Sequence, residues 1–463
     1  MNVLLYSPNN LPDLLTKIGI LLMTAAFIYS CEEPDLSVVE TPIETVQTVT
    51  DTTYTDEELL EVLNEEIDLL ETTGGRVVNI SGMDVPKENP KTVYVHYMPW
   101  FQSKDYDGYW GQHWTMTNQD PEIIDENGQR QIASYYYPII GPYSSNDPDL
   151  HEYHFLMMKM AGVDGVIFDW YGSRDQYDYG LIKDATESFI WTMEDLGLDF
   201  SIMYEDRVAV HAAQQGLAPT AIAAAQDDFE YINEVYFSSP RYMKHNDNNL
   251  LFVFGPHYLT TSSEWDQIFN VLPQENRPDF LTLWAAQHLV GENAAGEFLW
   301  IAPDHLAAHD YYYNYYPENN EITVGSVYPG FKSFYVDGGW SEGINEWVIE
   351  DNGGDTFVET LTYTHHEVAD FIQIATWNDF GEGTMIEPTE EHGFMYLQLL
   401  QQYTGVDFTP EDLQVALDLY RARKQYKDNA QVQLFLDRSY EYLKQLRIRR
   451  VKRILRAIDR FYS

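Results

Sequence analysis

The sequence predicts an α/β fold, a (β/α)8 TIM-type barrel, on two observations. From residue 93 onward, short apolar runs rich in β-branched and aromatic residues alternate with stretches of helical composition. The runs are apolar almost throughout, as strands of a parallel sheet covered on both faces are. Eight of them lie between residues 93 and 383, a span that suits a fold of typically ~250 residues with insertions. An open doubly wound sheet is the alternative, but no glycine-rich nucleotide fingerprint follows the first run.

The eight expected strands are "VYVHYMPWF" (93–101), "GVDGVIFDWYG" (162–172), "FSIMYEDR" (200–207), "LLFVFGPH" (250–257), "FLTLWAA" (280–286), "LAAHDYYY" (306–313), "ITVGSVYPGF" (322–331) and "FIQIATWND" (371–379). Between them lie helical stretches such as 149–161 and 181–197. Upstream, residues 55–75 carry a capping Thr55, acids in the first turn, Leu59, Leu60, Val62 and Leu63 at helical spacing, and a stop at Gly74 and Gly75. Residues 32–55 show no clear period and read as a tether. No repeat of solenoid period is present. The chain closes with "QLRIRRVKRILRAIDRFYS" (445–463), whose seven cations face one acid, Asp459. Such a helix suits either an anionic surface or the acidic body of the protein itself.

That body carries a net charge of −47, which disfavours nucleic acid as a partner. Aromatics make up 15% of the chain, with 35 Tyr and 11 Trp; such rings stack on sugar faces, though most pack in cores. The single cysteine, Cys31, excludes an internal disulfide. It follows an apolar stretch (18–29) too short to span a membrane, which needs ~20 residues, but suited to a signal-peptide core.

Several expected strands end in polar or aromatic residues, and in a barrel those ends gather on one face. His96, Tyr97, Trp100, Asp169, Trp170, Tyr204, Glu205, Trp377 and Asn378 are therefore candidates for binding a ligand. Asp379 and Glu382 sit three apart in "TWNDFGEG". If the strand stops near Asn378 and Gly381 turns the chain, both carboxylates face the mouth, where a general acid and a base can act on a glycosidic bond. A plain polar turn is the bland alternative. Glu205 and Arg207 likewise read either as part of a subsite or as a rim ion pair. "HEYH" (151–154), "DHLAAHD" (304–310) and His365–His366 lack a complete metal-ligand set, so no metal is expected. "YYYNYY" (311–316) reads as packing.

"TWNDFGEGTMIEP" (376–388), with the following "EEHGFMYLQLL", resembles the C-terminal signature of glycoside hydrolase families 71 and 99. "VYVHYMPWF" and the segment 141–172 are similar to the first strand of family 99 enzymes and to their approach to the second. The resemblance covers about residues 90–402. It implies a (β/α)8 barrel, no metal or other cofactor, and an endo-acting α-mannosidase or α-mannanase whose paired glutamates fall in an Asn-Glu-aromatic-x-Glu-Gly pattern. Glu382 matches the second glutamate, the acid/base. Asp379 stands where family 99 has glutamate, but family 71 α-1,3-glucanases, which invert, carry aspartate there. The expected substrate is an α-linked oligo- or polysaccharide of mannan or glucan type. A glycan-binding lipoprotein that kept the barrel and lost turnover is the alternative.

"FIYSCEEPD" (27–35) resembles a bacterial lipobox, and Glu32 and Glu33 resemble the export signal of Bacteroidetes surface lipoproteins. The chain is thus expected to comprise a lipoprotein signal peptide (1–31), a tether and N-terminal helix (32–88), a catalytic barrel (89–408) and a C-terminal helical extension (409–463). It is expected to be a monomer, anchored through lipid on Cys31 to the outer membrane and facing the cell surface.

Overall fold

The computed structural model describes residues 54–315, 320–340, 345–366 and 369–463. Cys31 and the apolar stretch before it lie outside the described residues, as do the side chains of His365 and His366. Eight parallel strands close a barrel: β1 (Val93–Tyr97), β2 (Gly165–Trp170), β3 (Asp199–Tyr204), β4 (Asn248–Val253), β5 (Asp279–Leu283), β6 (Ala294–Phe298), β7 (Ile322–Val327) and β8 (Phe371–Ile374). Their spatial order is 3-2-1-8-7-6-5-4, and pairing of Tyr204 with Val253 joins the two ends of that row.

Side chains alternate across each strand, so one set fills the barrel and the other meets the surrounding helices. The interior set takes one residue from every strand: Tyr94, Ile167, Met203, Phe252, Leu281, Phe298, Val324 and Phe371. The outward set, including Val95, Tyr97, Phe168, Trp170, Ile202 and Tyr204, joins the larger core beneath the helices. Helices that matter below are α1 (Asp56–Thr72), α2 (Pro148–Met160), α3 (Tyr179–Leu196), α4 (Ala221–Tyr231) and α5 (Leu306–Tyr315).

The expected sixth strand is α5. Its buried residues, Ala308, His309, Tyr312 and Tyr313, recur at helical spacing. The true sixth strand, "AAGEF" (294–298), has no β-branched residue, and a close approach fixes the glycine at its centre. A Cβ on Gly296 would stand 1.9 Å from the carbonyl oxygen of Ile322 on β7. Packing has overridden propensity there.

Three helices follow the barrel: α6 (Pro410–Gln425), α7 (Ala430–Lys444) and α8 (Ile448–Tyr462). The basic α8 docks on the acidic body. Ile448, Val451, Ile454, Ala457 and Ile458 are buried, while Arg450 pairs with Glu65 (2.5 Å) and Glu66, Lys452 with Asp412 (3.2 Å) and Arg460 with Asp56 (2.9 Å). No helix among the described residues is long and apolar enough to cross a membrane.

Candidate active site

Above the apolar interior layer, the next inward-facing position carries His96, Asp169 and Gln373 on β1, β2 and β8, and Glu205 and Trp300 just past the ends of β3 and β6. His96 is fully buried. Its Nε2 lies 2.7 Å from Gln373 Oε1, and the Gln373 amide donates to the carbonyl of Leu299 at 2.5 Å. The ring of Trp300 meets His96 edge-on at 4.7 Å. Burial pushes the His96 pKa down to about 4, against the pull of Gln373, so its imidazole is neutral.

β8 stops at Ile374, and residues 376–386 fold back as a tight loop. The Asp379 amide donates to Thr376 Oγ1 (2.8 Å), and the Glu382 amide donates to Asp379 Oδ1 (2.9 Å). One carboxylate therefore caps the turn that carries the other. A second segment braces the loop: the amides of Lys332 and Phe334 donate to the carbonyls of Glu382 (2.9 Å) and Gly381 (2.8 Å). From the same side, Tyr335 donates its hydroxyl to Glu382 Oε1 at 3.2 Å, and Asn345 approaches that oxygen at 3.5 Å.

Burial raises Asp379 to about 6, opposed by the amides of Glu382 and Gly381. Glu382 rises further, to about 8, through burial first, then the negative charge of Asp379, with Glu205 adding to it and Tyr335 opposing. Near neutrality Glu382 thus holds a proton while Asp379 is largely ionised. Their environments push the two groups apart, as an acid/base pair requires. Asp169 is raised well above the carboxylate range by burial and by Glu205, and Arg207 opposes the shift. Arg207 lies 3.0 Å from Glu205 and donates to the Tyr171 oxygen at 2.6 Å. Its positive charge stands beside the carboxyls of Glu205 and Asp169.

The candidate ligand residues divide by strand face. His96, Asp169 and Glu205 point inward with Asp379 and Glu382. Trp100 stacks on His113 at 4.3 Å and lies 6.4 Å from Tyr171, along the wall of the same mouth. Tyr97, Trp170 and Tyr204 do not line it. Tyr97 turns outward to His154 of α2 (2.8 Å), Trp170 stacks on Tyr231 at the end of α4, and Tyr204 donates to Asp228 of α4 (2.9 Å). Each directly adjoins an inward-facing residue or position, and the two-residue period of a strand forces neighbours to opposite faces. Trp377 is fully buried and meets His154 edge-on at 5.4 Å; Asn378 is fully buried against Met98.

His151 and His154 are also core residues, the first bonded to the Ser145 carbonyl at 2.7 Å. Among the described residues no group of three or more His, Cys, Asp or Glu is arranged to hold a metal ion. Gln373, Trp300, Tyr335 and Asn345 escaped the sequence reading. The first was legible as the residue two beyond Phe371 on β8, but the last two belong to an irregular loop without period.

Residues 89–279 match the model of Glycosyl hydrolase family 99. That stretch covers β1 to β4 and ends at the first residue of β5, before the carboxylate pair. Glycoprotein endo-alpha-1,2-mannosidase of Mus musculus is 23% identical over 373 residues, which cover 72% of this chain and 74% of the relative. Glycoprotein endo-alpha-1,2-mannosidase-like protein of Danio rerio is 23% identical over 324 residues, 64% of this chain and 70% of the relative. The solved GH99 endo-alpha-mannosidase from Bacteroides thetaiotaomicron shares the fold with a TM-score of 0.52 at 18% identity, over 68% of this chain and 98% of that one.

Proposed function

Because the chain is a family 71/99-like glycoside hydrolase, we propose that it cleaves an α-linked glycan of α-mannan or α-glucan type. Glu382 serves as the acid and Asp379 as the base. The observation that carries this reading is the single turn on which both carboxyls stand, one raised to about 8 and the other to about 6. A protonated Glu382 gives its proton to the departing glycosidic oxygen. Asp379, with Oδ1 held by the Glu382 amide, has its second oxygen to take a proton from water as that water attacks the anomeric carbon. Aspartate reaches less far than the glutamate of the family 99 pattern and leaves room for that water, which favours inversion; inverting pairs stand ~6.5–9.5 Å apart.

The test is a screen of purified protein against mannan, α-glucan and aryl glycosides. On the substrate it turns over, Glu382→Gln and Asp379→Asn should each lower kcat by ~10²–10⁴-fold without loss of folding, the usual loss of a positioned acid or base. NMR should show the β-anomer released first from an α-linked substrate. Full activity in both variants would remove the pair from the mechanism, and initial release of the α-anomer would exclude inversion. Binding of a glycan without turnover of any would favour the binding-protein alternative.

The same proposal places the enzyme on the outer membrane through lipid on Cys31, on the strength of the apolar stretch and lipobox-like residues before it. Cys31→Ala should move the protein out of the membrane fraction. A variant that still pelleted with membranes would exclude this anchor.

A further inference from the structure

Glu387 is a carboxyl that the chemistry above leaves unused, yet it lies five residues beyond Glu382 with a side chain shut off from solvent. Removing a carboxylate from water is costly unless its partners repay it. Here the partners form a chain. Tyr143 donates its hydroxyl to Glu387 Oε2 at 2.7 Å, and Asn378 donates from Nδ2 to the Tyr143 oxygen at 3.2 Å. On the other side His154 Nε2 stands 3.3 Å from Glu387 Oε1 without a hydrogen bond between them, while His154 Nδ1 lies 2.8 Å from the Tyr97 hydroxyl. All five side chains are buried.

What the chain holds is the seam between β1 and β8. The Trp377 amide donates to the His96 carbonyl at 2.7 Å, the last backbone rung between these segments. Beyond it the Asn378 side chain takes the place of a peptide group. It accepts from the Met98 amide (2.8 Å) and donates to the Met98 carbonyl (3.1 Å). A carboxamide can make both bonds only in one orientation. Tyr143 reinforces that orientation, because its hydroxyl hydrogen is committed to Glu387 and leaves only a lone pair to face Asn378. Asp379 is the next residue.

We propose that Glu387, acting through Tyr143 and Asn378, is a positioning residue for Asp379. This rests on the reading of Asp379 as a catalytic residue. Misplacement of a reacting group by ~1 Å costs up to ~10²-fold in rate, so Tyr143→Phe, which removes one hydroxyl and keeps the ring, should lower kcat by about 10- to 10²-fold. KM should stay within about twofold, since no group that touches substrate has changed. Adding Glu387→Gln to Tyr143→Phe should cost no more, because both break one chain. Amide exchange in Tyr143→Phe should quicken at Met98 and across 376–386 and stay unchanged in the outer helices.

Wild-type kcat, or losses that multiply in the double variant, would overturn the proposal. So would unaltered exchange at 376–386, a readout that needs no substrate. Asp379→Asn run in parallel separates the two ideas. If it is fully active the catalytic reading of Asp379 fails, and if it is dead while Tyr143→Phe is normal only the positioning role fails.

Discussion

At the scale of single residues, Asp379 and Glu382 set opposite limits on pH. Activity should rise as Asp379 ionises near pH 6 and fall as Glu382 loses its proton near pH 8. Glu205 helps to keep that proton in place, so Glu205→Gln should move the upper limit toward lower pH. An unchanged basic limb in a pH–rate profile would refute the electrostatic link. The same shifts act on stability. Both groups have folded-state pKa values above their unfolded ones, so between about pH 4 and 8 the folded protein binds more protons than the unfolded chain. Stability therefore falls as pH rises through that window. Glu382→Gln should raise the melting temperature at pH 8 and leave it nearly unchanged at pH 4, in a pair of thermal melts.

At the scale of elements, the strand ends show what a sequence discloses and what it withholds. Seven strands were legible as apolar runs, because parallel strands buried on both faces need such runs. The same property hid which residues face the mouth: where every position is apolar or aromatic, the period of two leaves no trace. Tyr204 and Glu205 are adjacent and both buried, yet one meets α4 and the other the site. They make a direct test. Tyr204→Phe should cost about 1 kcal/mol of stability through the lost bond to Asp228 and leave turnover alone, whereas Glu205→Gln should alter the pH–rate profile. β6 was illegible for a different reason, since Gly296 is chosen by its distance from β7. Tyr335 and Asn345 were illegible because loop geometry has no sequence rhythm to betray it. Asp379 and Glu382 were the easiest to find, as two acids between glycines at the end of an apolar run.

Across the whole molecule, the basic tail resolves into a structural clamp. Glu66 of α1 is fully buried and is met by Arg438, Arg450 and Tyr442, the last at 3.1 Å. Glu66→Ala should destabilise the protein by about 3–5 kcal/mol, the usual effect of breaking a buried pair, as measured by denaturant unfolding. A loss below 1 kcal/mol would mean that the clamp is held by its apolar face alone. The clamp also has a consequence in time. Leu59, Val62, Leu63 and Leu70 of α1 bury themselves largely against helices made at the far end of the chain. A ribosome adding 5–20 residues per second needs roughly 20–80 s to travel from α1 to α8. Throughout that interval the first helix has been synthesised and its cover has not, so a greasy amphipathic segment waits in the open for a partner still being encoded. Chains halted before residue 448 should be cut by protease at α1, and a chaperone that shields such segments should raise the yield of the full-length enzyme.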